Sequence, residues 1–138
     1  MNQMNVLVLG STGAMGQYLV PYLAEKGCKV DAIALNDMTS EHPNVTWHKG
    51  NAKDWGYRNE ILSKNYDAII DFLVYPSKDV PFYLPQLLDS TGHFVYISSG
   101  RIYDNLERPV RETSPRLIDT CKDPLLINSD DYCIYKAR

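Results

Sequence analysis

The sequence predicts an α/β fold built on a parallel sheet, and three observations carry that expectation. Short apolar runs rich in β-branched residues alternate with stretches of helical period, the signature of β-α-β units. The first of these runs passes directly into a glycine-rich turn, Gly10-Ser-Thr-Gly13-Ala-Met-Gly16, which opens the first helical stretch. The chain has 138 residues, 44% of them apolar and 22% charged, which suits one hydrophobic core and is too short for two. Residues 1–138 are therefore expected to form a single domain.

Strands are predicted at 4–9 (Met-Asn-Val-Leu-Val-Leu), 30–35 (Val-Asp-Ala-Ile-Ala-Leu), 45–48, 67–74 (Asp-Ala-Ile-Ile-Asp-Phe-Leu-Val) and 93–98 (His-Phe-Val-Tyr-Ile-Ser). Helical patterns fall between them at 14–26, 56–65 and 79–90. In the first helix Leu19, Tyr22 and Leu23 have the i, i+3, i+4 spacing of a buried face, and Gly27 suits the left-handed position just past a helix end. Pro21 lies inside this pattern, where it removes a backbone hydrogen bond. From 100 to 128 no period is visible and prolines stand at 109, 115 and 124. A connection this long in a small domain is more often functional than idle. Ser129-Asp130-Asp131 then reads as a helix cap with acidic first-turn residues, so a final helix is expected to start there.

Fourteen Lys and Arg against 17 Asp and Glu give a net charge of −3, with the signs interspersed. Nucleic-acid binding rests on a basic surface, so this balance argues against nucleic acid as a partner and leaves room for a small anionic ligand. The three cysteines, Cys28, Cys121 and Cys133, have no Cys-x-x-Cys spacing, so free thiols are expected rather than a disulfide framework or a zinc site. His42, His48 and His93 are scattered and read as surface or loop residues, and no metal site is expected. Met1–Asn5 carries no positive charge and precedes only a short apolar run, unlike a secretory signal. No span approaches the ~20 apolar residues of a membrane helix. A cytoplasmic protein without membrane contact is expected, and the sequon Asn44-Val45-Thr46 is taken as chance.

The glycine turn carries the strongest chemical signal. Glycines let the chain turn tightly and approach a pyrophosphate, and the following helix N-terminus offers N–H groups and partial positive charge. Gly10, Thr12, Gly13, Ala14, Met15 and Gly16 are thus candidate dinucleotide contacts. Their Gly-x-x-Gly-x-x-Gly spacing resembles that of the short-chain dehydrogenase/reductase superfamily, in particular its extended branch, the NAD-dependent epimerase/dehydratases. Val95-Tyr-Ile-Ser-Ser99-Gly-Arg-Ile-Tyr103 resembles the strand-end motif of that branch. Pro109-Val-Arg-Glu112-Thr-Ser-Pro115 is similar to the Pro-x-x-Glu-x-x-Pro stretch that often follows, and Tyr132-Cys-Ile-Tyr-Lys136 matches the Tyr-x-x-x-Lys signature.

The resemblance implies a Rossmann-type, doubly wound parallel sheet of order 3-2-1-4-5, with Ser99, Tyr132 and Lys136 as the catalytic set. Residues i and i+4 share a helix face, so Lys136 is expected to favour the phenolate of Tyr132 and make it a general acid/base, with Tyr135 as a second candidate. Ser99 would orient the substrate hydroxyl or carbonyl, while the nicotinamide carries the hydride. Asn36 and Asp37 stand after the second strand, where the family selects its cofactor. Asp37 favours the 2′-hydroxyl of NAD, and NADP stays open. Asn51 and Ala52, in Gly50-Asn51-Ala52, correspond to the segment that meets the adenine, with Asn replacing the family's acid. Leu73 stands where the family has a small residue beside the cofactor.

Family members commonly run about twice this length, so the chain is expected to be part of a longer protein and to lack the C-terminal substrate lobe. The last strand would then have an apolar outer edge through which copies associate. The implied activity is hydride transfer on a sugar-nucleotide or similar small hydroxyl or carbonyl substrate. A non-catalytic, NAD(P)-sensing regulatory protein is the rival reading, against which the Tyr-x-x-x-Lys pair speaks. An RNA-associated relative is a third, disfavoured by the acidic balance.

Overall fold

A computed structural model describes residues 3–138. Five parallel strands, β1 (Asn5–Leu9), β2 (Lys29–Ala34), β3 (Val45–Lys49), β4 (Tyr66–Asp71) and β5 (Thr91–Tyr96), form one sheet in the order β3-β2-β1-β4-β5. This is the predicted order. The described residues through Val74, together with Phe82–Tyr96, make one compact unit holding the whole sheet; Tyr75–Pro81 and Ile97–Arg138 make a second. The helices α1 (Gly16–Glu25), α2 (Trp55–Leu62) and α3 (Val80–Asp89) follow β1, β3 and β4.

β1 is the axis of the sheet. Val6, Leu7, Val8 and Leu9 are all buried, as a strand covered on both faces requires. Leu7 and Leu9 join Ile33, Ile61, Leu62, Ile69 and Leu87 on the face of α2 and α3. Val6 and Val8 join Val20, Ala24, Val30, Ala32 and Ala68 on the face of α1. Helices on both faces make the sheet doubly wound.

The buried face of α1 differs from the predicted one. Gly16, Val20 and Ala24 are its buried residues, whereas Tyr22 is 54% exposed. Small side chains at i, i+4 and i+8 let the helix lie close to the sheet, which larger Leu and Tyr residues on that stripe would prevent. Pro21 is exposed on the outer side, where its missing N–H leaves no buried partner. The helix ends as expected: Gly27 is left-handed at φ +89°. Its N–H donates to the Ala24 carbonyl and that of Cys28 to the Leu23 carbonyl, each at 3.0 Å, the two bonds of a Schellman motif.

β4 stops at Asp71 rather than 74 because the Asp71 carboxylate, fully buried, accepts the Leu73 N–H at 2.8 Å and turns the chain out of the sheet. β5 likewise starts and ends two residues earlier than predicted. α2 is capped by Asp54, which accepts from the Tyr57 N–H at 2.9 Å, and Asn65 in the turn before β4 has φ +53°.

In the second unit, the region 100–128 holds a 3-10 turn (Gly100–Ile102), α4 (Leu117–Thr120) and α5 (Pro124–Ile127), with a bridge between Tyr103 and Arg116. α6 (Tyr132–Ala137) is capped by Asp131, not Ser129; Ser129 Oγ instead accepts from the Asp131 N–H and shapes the turn before the cap. All three cysteines are free thiols. Among the described residues no helix is long and apolar enough to cross a membrane.

His48 falls within the strand predicted at 45–48 and is half-buried there rather than a surface or loop residue. It sits on β3 with Nε2 3.0 Å from Asp31 Oδ1, while Asp31 Oδ2 accepts from Lys64 Nζ at 3.1 Å and Tyr66 OH at 2.8 Å. Burial pushes the Asp31 carboxyl up, but the bonds from His48, Tyr66 and Lys64 outweigh it and hold the group below its ordinary 3.8. A depressed carboxylate stabilises the fold above the unfolded-state pKa, and that contribution is lost as pH falls through the folded value. Asp31→Asn is thus expected to lower the unfolding free energy at pH 7 by about 1–3 kcal/mol. In urea titrations the gap from wild type should close as pH falls below about 4.

Candidate functional site

The loop after β1 is shaped by its glycines and by Ser11. Gly10 is left-handed at φ +78°, and a Cβ there would meet Phe72 Cβ at 3.2 Å. Ser11, fully buried, donates from Oγ to the Val8 carbonyl at 2.7 Å and accepts from the Ile33 N–H at 3.1 Å, tying the end of β1 to β2. The Gly13 N–H donates to the Gly10 carbonyl at 3.1 Å. Gly16 opens α1 so close to the loop that a Cβ would lie 2.5 Å from the Ser11 carbonyl oxygen and 2.6 Å from that of Gly10. Met15, at the cap position of α1, contributes no side-chain hydrogen bond.

A cleft of about 330 Å³ opens at the carboxyl ends of β1–β4. Its lining brings together Gly10, Thr12, Asn51, Ala52 and Leu73 of the predicted cofactor set, beside Ile33, Ala34, Leu35, Gly50 and Lys53. Gly13 and Gly16 shape the loop without lining the cleft. Ala14 and Met15 line a different, apolar groove along α1 with Tyr18, Leu19, Tyr22 and Phe72. Asn36 and Asp37 lie on the exposed bend after β2, outside the cleft, and the Asp37 carboxylate is 2.6 Å from Lys49 Nζ. Among the described residues of the lining, Lys53 carries the only charge.

The Asn51–Lys53 wall is held by side chains that the sequence did not single out. Asn51 Oδ1 accepts from the Lys53 N–H at 3.0 Å. Arg58 of α2 donates to the Ala52 carbonyl at 2.9 Å, and Tyr83 of α3 donates to the Lys53 carbonyl at 3.0 Å. A cation on a helix reads as a solvent-facing residue, so no signal in the sequence marked Arg58 as buried.

The predicted catalytic residues all lie in the second unit. Ser99 Oγ accepts from the Arg101 N–H at 3.2 Å and caps the 3-10 turn, against which α6 packs. On α6, Lys136 Nζ donates to the Ile97 carbonyl at 2.8 Å. The Tyr132 ring is half-buried, edge-on to Tyr135 at 5.6 Å and 5.7 Å from the Arg101 guanidinium carbon. The neighbouring Cys133 thiol donates to Asp131 at 2.8 Å; that bond, with burial, raises it above its ordinary value and keeps it protonated.

The model of the NAD dependent epimerase/dehydratase family matches residues 6–120. The chain belongs to this family. Solved structures of like fold include the epimerase Mth375 from Methanothermobacter thermautotrophicus, with a TM-score of 0.71 at 21% identity over 98% of this chain and 45% of that one. Bordetella bronchiseptica WbmH, solved with NAD+, has a TM-score of 0.67 at 23% identity over 99% and 50%. WbmG from the same organism, solved with NAD and UDP, has a TM-score of 0.68 at 14% identity over 99% and 47%. The chain spans about half the length of each. No curated protein sequence matches it.

Within the epimerase/dehydratase match fall the glycine loop, the cleft and Ser99, while Tyr132 and Lys136 lie beyond its end at 120. The two loop glycines differ in what they tolerate. At Gly13 a Cβ would stand 3.3 Å from the Gly10 carbonyl oxygen, against 2.5 Å at Gly16. Gly16→Ala is therefore expected to cost about 1–3 kcal/mol in urea unfolding, as overpacking does, and Gly13→Ala clearly less.

Proposed function

We propose that this chain is the NAD(P)-binding part of an epimerase/dehydratase-type oxidoreductase that transfers hydride at a hydroxyl or carbonyl carbon of a sugar nucleotide or similar small molecule. The observation that carries the reading is the cleft at the carboxyl ends of the strands, flanked by the glycine loop and lined by Gly10, Thr12, Asn51, Ala52 and Leu73. It opens where the chain winds outward from β1 in both directions, the switch point at which doubly wound folds bind ligands. The residues fit a dinucleotide. Glycine and alanine leave room for backbone approach, Thr12 and Asn51 offer polar side chains, and α1 presents an N-terminus without a side-chain cap. At the end of β2 the lining is Ala34 and Leu35, and Asp37 lies outside the cleft in an exposed ion pair with Lys49, so NADP stands beside NAD as cofactor.

When bound, the nicotinamide supplies the hydride acceptor and donor. The rest falls to side chains. Ser99 Oγ accepts the Arg101 N–H, so its own hydroxyl proton is left to donate to a substrate oxygen. Tyr132 takes or returns the proton of the substrate hydroxyl at its phenol oxygen. Lys136 is anchored by the Ile97 carbonyl and presents a fixed positive charge on the helix that carries Tyr132.

Calorimetric titration tests the cofactor half of this reading. Micromolar binding of NAD+ or NADP+ is expected, weakened about tenfold or more in Gly13→Asp, which sets a carboxylate beside the loop that faces the pyrophosphate. No binding to a chain folded by circular dichroism would refute it. Once a substrate is in hand, Tyr132→Phe is expected to lower kcat by about 10²–10⁴ while leaving dinucleotide affinity unchanged.

A further inference from the structure

We infer that the buried Arg58 and the half-buried Tyr83 form a clamp that positions the Asn51–Lys53 wall of the cleft for its ligand, an inference that rests on the dinucleotide reading above. Arg58 is 1% exposed. Withdrawing a guanidinium from water is costly unless its donors are satisfied, and an apolar residue would join two helices without that cost. Here the donors are used with direction. Nη1 reaches back to the Ala52 carbonyl at 2.9 Å, Nε donates to Gln86 Oε1 at 3.0 Å, and Nη2 lies 3.5 Å from the Tyr83 carbonyl. The guanidinium stacks on the Tyr83 ring with its carbon 4.6 Å from the centroid.

Tyr83 completes the clamp by donating its hydroxyl to the Lys53 carbonyl at 3.0 Å. Two successive carbonyls of the loop after β3 are thereby fixed by side chains from α2 and α3. On the same loop, Asn51 Oδ1 holds the Lys53 N–H and the Asn51 carbonyl accepts the Asp54 N–H at 2.9 Å. The planar, five-donor fork of arginine explains why this position is not lysine: it serves Ala52, Gln86 and Tyr83 at once and stacks on a ring. The clamp acts through the loop, so both residues are positioning residues and neither touches the ligand itself.

The test compares Tyr83→Phe and Arg58→Lys with wild type in three measurements on the whole chain: amide hydrogen exchange without ligand, melting temperature, and titration with ADP-ribose and with nicotinamide mononucleotide. Tyr83→Phe loses one hydroxyl and is expected to melt within about 2 °C of wild type. Exchange at the Lys53 and Asp54 amides should nevertheless rise about tenfold, and ADP-ribose should bind about tenfold more weakly while the mononucleotide is unaffected. Arg58→Lys should show the same split, more strongly. Unchanged exchange and affinity in both variants would overturn the clamp. So would an equal loss of both ligands that merely follows a fall in melting temperature. If wild type binds neither ligand, the dinucleotide reading fails, and loop exchange still decides whether the clamp exists.

Discussion

A single methyl group on residue 16 would stand 2.5 Å from the Ser11 carbonyl oxygen, and much of the fold follows from its absence. Because Gly16 lets α1 begin against the loop, Val20 and Ala24 one and two turns later come down onto Val6, Val8 and Ala32. The same contact fixes where the helix N-terminus points. Ser11 secures it from below, its hydroxyl joining the Val8 carbonyl and the Ile33 N–H. Strand ends, helix start and cleft are therefore one rigid arrangement, in which close packing of backbone on backbone replaces side-chain bulk.

The strands were legible because β1, β2 and β4 are buried on both faces and so appear as apolar runs, and the glycine turn because its spacing has a steric purpose. The helix face was not. A stripe of Gly16, Val20 and Ala24 carries little hydrophobic weight beside Leu19, Tyr22 and Leu23, so the pattern favoured the larger residues although close approach selected the smaller. Strand ends shifted for local reasons, such as the Asp71 carboxylate capturing the Leu73 N–H. Of the candidate site, the loop, Asn51, Ala52 and Leu73 could be read from motif order. Arg58 and Tyr83 could not, because their role appears only when α2 and α3 converge on one loop. That Asp37 would lie outside the cleft, exposed beside Lys49 of β3, was likewise not readable from the sequence.

The two ends of the sheet have taken opposite chemistry. At the amino ends a second cleft of about 500 Å³ is lined by Asn5, Lys29, Asp31, Asn44, Thr46, Lys64 and Tyr66 among others. There Asp31 gathers His48, Lys64 and Tyr66 into a network whose donors and acceptors are turned on one another. At the carboxyl ends the cleft is smaller, but its walls are glycine, alanine and leucine around a few polar groups, the composition of a site that takes a ligand. Size alone would point to the first cleft; backbone access and the helix terminus point to the second.

The measurement that separates these directly is amide chemical-shift mapping of the labelled chain during titration with NAD+. The account expects the largest changes at Gly10, Thr12, Gly13, Asn51, Ala52 and Lys53. Changes concentrated instead at Asn44, Thr46, Lys64 and Asn65, or none at saturating dinucleotide, would contradict it.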